Sequence, residues 1–174
     1  MSVSVRDARR SKADQRWVES VYRDYLDDLA PLNTGVFPAL GEVGHREPDQ
    51  LARWFTDPSA YPLLILREVE PVGFAMVVRD SGRSMQTPID YRMAEFFVMR
   101  PLRRRGIGES AVRLIFDRFA GRWEILEYQR NPGAVSFWRR VVVRYTGGRY
   151  QERCANGEVR QIFDSGGHRV PHGS

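Results

Sequence analysis

Apolar residues recur along the chain in two periods, and the switches between those periods mark the elements. Ser2 to Arg9 alternates weakly and predicts a first strand. Ser11 then stands as an N-cap with Asp14 three residues on, a capping-box-like helix start. Trp17, Val18, Val21, Tyr22, Tyr25, Leu26 and Leu29 follow at i, i+3, i+4 spacing. That spacing predicts an amphipathic helix of about four turns. Pro31 to Gly44, with three glycines and two prolines, reads as a loop. Glu47-Pro48-Asp49 opens a short second helix through Trp54 and Phe55, closed before Pro58. Strands are predicted at Tyr61 to Val69 and Val72 to Arg79, with a turn at Glu70-Pro71. An irregular stretch, Asp80 to Asp90, leads to a strand at Tyr91 to Met99. Gly106 to Ala120 is helical in pattern, with Ala111, Val112, Ile115, Phe116 and Phe119 as its stripe. Arg122 to Tyr128 alternates as a strand with Trp123 and Ile125 on one face. Asn131 caps a helix from Pro132 to Val142. Gln151 to Cys154 and Val159 to Phe163 form a hairpin across Ala155-Asn156-Gly157, and the tail from Ser165 is polar.

This order predicts one α/β domain over residues 1–174 with a mixed sheet, not a regular βαβ series. There is no internal repeat. A hydrophobic fraction of 42% with 28% charged residues is ordinary for a globular protein. Cys154 is the single cysteine, so no internal disulfide is expected. No apolar run approaches a membrane span and no signal-peptide core opens the chain, which makes the cytoplasm the default expectation. The histidines 45, 168 and 172 have no metal-ligand spacing with Cys154, and no metal is expected. No serine sits in a nucleophile elbow.

The net charge of +5 is carried almost wholly by arginine, Lys12 being the only lysine. Charge alone fits nucleic acid, anionic lipid or a phosphorylated ligand. Its placement narrows the choice, because Arg100, Arg103, Arg104 and Arg105 surround one glycine turn. There an apolar strand ends, Gly106 and Gly108 make the turn, and a helix begins at once. Glycine lets main-chain N–H groups approach a ligand, and the helix start adds donors and a positive dipole end. The turn therefore reads as an anion site.

Arg103, Gly106 and Gly108 match the pyrophosphate motif Gln/Arg-x-x-Gly-x-Gly/Ala, and the chain here resembles the GNAT superfamily of acyl-coenzyme A N-acyltransferases. Phe96-Phe97-Val98 occupies the place of that family's apolar strand, whose main chain pairs with the pantetheine arm. Asn131, Ala134 and Phe137-Trp138 look like its Asn-x-x-Ala-x-x-aromatic-aromatic helix, and Ser2 to Tyr25 suits its first strand and helix. The resemblance covers nearly the whole chain. It implies a mixed, mostly antiparallel sheet of six to seven strands flanked by about four helices. It further implies that acetyl-CoA is the co-substrate. Phe97, Val98, Met99, Arg103, Arg104, Arg105, Gly106, Ile107, Gly108 and Glu109 would hold it from the strand end and the turn, and Asn131, Phe137 and Trp138 from the later helix.

The resemblance departs at Trp138, where many members carry a tyrosine that protonates the departing thiolate. Indole has no acidic hydroxyl. Tyr128, Tyr145 or water would have to serve, or the thiolate leaves unassisted; Phe137 reads as core packing. A general base is also expected, since the amine must attack in neutral form. Glu127 and Glu95 are the candidates. Glu127 shares parity with Trp123 and Ile125, and either faces a polar cleft on that side or lies past the strand end, solvated and inert. Glu95 has opposite parity to Ala94, Phe96 and Val98 and pairs equally well with a neighbouring arginine. Glu124 is expected to face solvent. Glu42, His45, Glu47 and Asp49 fall where the family shapes its acceptor pocket, or on a plain solvated loop.

The leading expectation is therefore an N-acetyltransferase acting on a small-molecule amine by direct attack in a ternary complex. No nucleic-acid or membrane partner is expected, and dimers in the family leave a homodimer open. An acyl-CoA sensor or inactive GNAT-like module is the alternative, and a basic nucleic-acid-binding protein the third.

Overall fold

The structure, a computed structural model, describes residues 2–29, 48–80 and 88–166. The predicted loop Pro31–Gly44 with Glu42, then His45, Glu47, the side chain of Asp49, most of the Asp80–Asp90 stretch, and the tail with His168 and His172 lie outside the described residues.

The elements run β1 (Val3–Asp7), α1 (Lys12–Leu29), α2 (Pro48–Thr56), β2 (Ala60–Arg67), β3 (Glu70–Arg79), β4 (Tyr91–Val98), α3 (Ile107–Arg118), β5 (Arg122–Tyr128), α4 (Pro132–Thr146), β6 (Gln151–Ala155) and β7 (Glu158–Asp164). The seven strands form one mixed sheet in the order β1-β2-β3-β4-β5-β7-β6. The β1–β2, β2–β3, β5–β7 and β6–β7 ladders are antiparallel, and β4–β5 is parallel at Tyr91↔Trp123 and Arg92↔Glu124. By contacts the chain divides into two compact units, Met1–Arg79 with Met93–Ala111 and Asp80–Arg92 with Val112–Ser174.

In the first unit, Ser11 caps α1 through its hydroxyl, which accepts from Asp14 N at 3.3 Å. Asp14 does not complete the reciprocal box. Its carboxylate takes a two-pronged bond from Arg6, at 2.8 and 2.7 Å, tying β1 to the first turn of α1. Val18, Val21, Tyr22 and Tyr25 bury the predicted stripe against Leu64, Phe74, Met76 and Phe97. The β2–β3 turn is Glu68-Val69 rather than Glu70-Pro71, with Glu68 left-handed at φ 54°. Pro71 suggests a turn because it lacks a ladder donor. It is accommodated inside β3 by a register shift at Ile65/Leu66.

Gly73 on β3 permits a close approach: a Cβ there would sit 2.2 Å from the Phe97 carbonyl oxygen. The oxygen belongs to backbone and a Cβ is fixed rigidly to its own Cα, so neither can swing away. Gly73→Ala is expected to destabilise the protein by about 2 kcal/mol or more, the scale of an overpacked core. A melting temperature equal to wild type would contradict the close packing of β3 on β4.

In the second unit, Phe116 and Trp123 meet edge-on at 4.9 Å, and Phe116 meets Phe163 at 4.8 Å. The Trp123 indole is satisfied by the Phe119 carbonyl at 2.8 Å. The β6–β7 turn is Asn156-Gly157, both with positive φ (55° and 77°), as a two-residue hairpin of this twist requires. Helix α4 outruns its predicted end at Val142 by a full turn, to Thr146. The β-branched run Val141-Val142-Val143 weakens intrinsic helicity, but Val141 and Val142 are fully buried, and packing decides. Gly147, left-handed at φ 64°, stops the helix.

Glu124 departs from the reading of it as a solvent-facing residue. It is buried, and its Oε1 accepts from Arg92 Nε at 3.1 Å and Arg160 NH1 at 3.2 Å. Two arginines from neighbouring strands cover a carboxylate that strand parity alone would leave in water.

Candidate active site

The glycine turn lies wholly in the first unit, and buried residues hold both its ends. Val98, the last residue of β4, and Ile107, the first of α3, pack with Ile65, Val72 and Ala111 in one apolar cluster. Met99 N donates to Val72 O at 2.9 Å, fixing the strand exit. Between these anchors runs a single 3-10 turn, Arg100–Leu102. Arg104 (φ 62°) and Gly106 (φ 77°) are then left-handed. The first intrahelical bond of α3 is Ser110 N to Gly106 O, so the N–H groups of Ile107 and Gly108 lie ahead of the ladder. Arg104 and Arg105 are exposed beside them, and Glu109 is half-buried in the first helical turn.

Arg103 has a structural job in this arrangement. Its Nε donates to the Val98 carbonyl at 2.7 Å, and its guanidinium lies 5.4 Å from the Phe97 ring centroid. The motif arginine thus clamps the turn back onto the strand end. Phe97 faces the core, 5.5 Å from Phe74. Glu95, also buried, accepts at Oε1 from the Tyr22 hydroxyl at 3.4 Å.

The second unit holds Glu127, Asn131, Phe137 and Trp138. Asn131 caps α4, its Oδ1 accepting from Ala134 N at 3.0 Å. Asn131→Ala is expected to cost about 1 kcal/mol in urea denaturation and Asn131→Ser very little; equal losses would remove the cap from the account. Core packing, expected of Phe137, belongs to its neighbour. Trp138 is the buried member and Phe137 the half-buried one, its ring 5.9 Å from the Arg140 guanidinium. Position along the α4 stripe decides this, because Val135, Trp138, Val141 and Val142 share the inward face. Of the hydroxyls considered as acids, Tyr145 donates to Asp117 Oδ1 at 2.6 Å, and burial with that carboxylate raises its pKa. Such a phenol is a poor proton donor to a thiolate.

Glu127 lies within β5, not beyond it, and is 3% exposed. Neither carboxylate oxygen has a hydrogen-bond partner. Burial pushes its pKa up to about 8. The Gln161 amide and Arg139 oppose that rise and Glu152 adds to it. Gln161 lies near enough for its amide to favour the ionised form of Glu127, although the hydrogen bond its Nε2 makes is to Glu152, at 3.0 Å. In the β5–β7 ladder Glu127 stands opposite Val159. Val159 in turn lines a cleft of about 500 Å³ with Gln129, Pro132, Val135, Ser136 and Arg139. A buried carboxyl that is neutral near pH 7 and unbonded is suited to exchanging a proton with a ligand.

Gln161, Glu152 and Arg139 are not singled out by the sequence. The available signal is Gln161 itself, the polar member of the inward series Val159-Gln161-Phe163. Among the described residues, no group of three or more His, Cys, Asp or Glu side chains could hold a metal, and no helix is long and apolar enough to cross a membrane.

The fold is one shared with acetyltransferases. The structure of an acetyltransferase from Thermus thermophilus superposes with a TM-score of 0.61 at 16% identity, over 94% of this chain and 97% of that one. Spermidine N-acetyltransferase from Vibrio cholerae, solved with CoA and spermine, gives 0.62 at 10% identity over 94% and 95%. The ribosomal-protein-S18-alanine N-acetyltransferase of Escherichia coli gives 0.59 at 9% identity over 97% and 99%. No curated protein matches the chain by sequence. Residues 18–142 match the Acetyltransferase (GNAT) family, and the chain belongs to it.

Proposed function

We propose that the chain transfers an acetyl group from acetyl-CoA to a primary amine of a small molecule, by direct attack within a ternary complex. The observation that carries this reading is Glu127: a buried carboxyl without a hydrogen-bond partner, its pKa pushed up to about 8, in a member of an acetyltransferase family. The amine nitrogen bonds to the thioester carbonyl carbon and the C–S bond breaks. The amine's proton passes to the Glu127 carboxylate, and the thiolate takes its own proton from water. The residues of the glycine turn fit the donor. Gly106 takes a left-handed turn, N–H groups lie ahead of the α3 ladder, and Arg104 and Arg105 are exposed beside them.

A second reading, an acyl-CoA sensor without turnover, draws on Trp138 in the usual acid's place and on Tyr145 being held by Asp117. Release of coenzyme A thiol over a panel of primary amines separates the two. The panel includes polyamines, amino acids and an alanine-ended peptide, the last two kinds bracketing small-molecule and protein acceptors. Amine-dependent release supports transfer; acetyl-CoA binding with no release for any amine supports the sensor.

A further inference from the structure

We propose that Gln161 is a positioning residue for Glu127, held by the Arg139–Glu152 ion pair so that its amide serves the carboxyl in both of its states. The inference rests on the reading of Glu127 as the base. Gln161 is fully buried, and its Oε1 has no hydrogen-bond partner. Both Glu127 oxygens share that condition. Gln161 stands opposite Ile125 in the β5–β7 ladder, two residues from Glu127's own partner Val159. The side-chain period of a strand is two, so Gln161 and Glu127 occupy adjoining rows of one sheet face. A protonated carboxyl offers one O–H donor, which the Gln161 Oε1 lacks; an ionised carboxylate accepts only, and the amide has N–H groups to give. One side chain therefore answers both forms of the base.

What keeps the amide from turning away lies on its other side. Glu152, opposite Gln161 in the β6–β7 ladder, accepts from Gln161 Nε2 at 3.0 Å. Arg139 of α4 grips the same carboxylate in a two-pronged bond at 2.8 and 2.9 Å. Arg139 also lines the cleft beside Val159. The chain Arg139–Glu152–Gln161–Glu127 thus links a rim residue on α4 to the buried carboxyl through three strands. Cys154 shares parity with Glu152 on β6 and pairs with Val159, and both it and Tyr150 lie near enough to act on Arg139. Around Glu127 the charges are of both signs, with Glu152 favouring its protonated form and Arg139 its ionised one.

The test uses the full-length protein without substrate. Side-chain carboxyl carbons of glutamate are labelled with 13C, the Glu127 signal is assigned by its loss in Glu127→Gln, and its titration is followed by NMR. Glu152→Gln is expected to lower the Glu127 midpoint by about one pH unit, and Arg139→Met to raise it by a similar amount. Gln161→Leu is expected to raise it. Gln161→Met, closer in shape to glutamine, takes the place of Gln161→Leu if that variant fails to fold. Removing either charge acts on Glu127 directly as well, so the deciding comparison is the same two variants in the Gln161→Leu background: shifts that shrink there support the proposal, and shifts of unchanged size, or a midpoint that Gln161→Leu alone leaves unmoved, overturn it. Shifts that shrink without the Gln161 amide, with a turnover profile indifferent to Glu127, would instead retain the positioning role and reject Glu127 as the base.

Discussion

Glu127→Gln should be more stable than the wild type at pH 9 and close to it at pH 5. The carboxyl titrates at about 8 in the fold against an ordinary value of 4.5. Between those values the folded protein holds a proton that the unfolded chain has released, so stability falls as pH rises through the window. The contribution is complete below 4.5 and lost above about 8. Its full span is on the order of 5 kcal/mol, an upper bound because the site can rearrange to admit water. Glutamine keeps the shape and never ionises, so it escapes the loss. Urea denaturation at the two pH values measures the difference. A gap that is the same at pH 5 and pH 9 would mean that the carboxyl is not raised at all.

Gly108→Trp should abolish measurable acetyl-CoA binding, with a loss of at least about 100-fold, while the melting temperature stays within a few degrees. Gly106 is the weaker probe. Its φ of 77° strains any substituted residue, so fold and binding would change together. Gly108 is already inside α3, where tryptophan is a better helix former than glycine by a few tenths of a kcal/mol. A helical side chain leans back over the preceding turn, which places the indole across the N–H groups at the helix start. Arg104→Ala with Arg105→Ala is the companion experiment, since both side chains are exposed. It should weaken binding about tenfold or more and lessen its dependence on salt. Unchanged affinity in all these variants, by calorimetric titration, would remove the turn as the donor site.

Much of the fold is legible in the sequence because the two hydrophobic periods are clean. Strand β5 can be read with its bounds intact, Asn131 as a cap, and Asn156-Gly157 as a hairpin turn. Pattern and structure part where tertiary contact overrides local preference. Pro71 suggests a turn, yet a register shift absorbs it inside β3. The helix is expected to end at Val142, yet α4 continues to Thr146 because Val141 and Val142 are buried. Parity assigns Glu124 to water because its two arginine partners come from other strands.

The candidate site divides in the same way. The glycine turn is a local motif and can be read from adjacent residues. The motif does not reveal the clamp of Arg103 on Val98, because that bond depends on the path the chain takes between the two. The alternation of β5 directs Glu127 inward, but its lack of a hydrogen-bond partner emerges only once β7 is set beside it. The same pairing brings in Gln161, and β6 adds Glu152. A residue whose role is defined by strands two elements away leaves only a faint trace in sequence, here one glutamine among apolar neighbours.

The most direct measurement is the pH dependence of kcat/KM for the wild type and Glu127→Gln with the best amine of the panel. Any amine deprotonation limb is common to both proteins and cancels in their ratio. The wild type's advantage should grow with pH and level off above about 8, reaching on the order of 100-fold or more. A ratio that stays near one at every pH would contradict Glu127 as the group that takes the amine's proton.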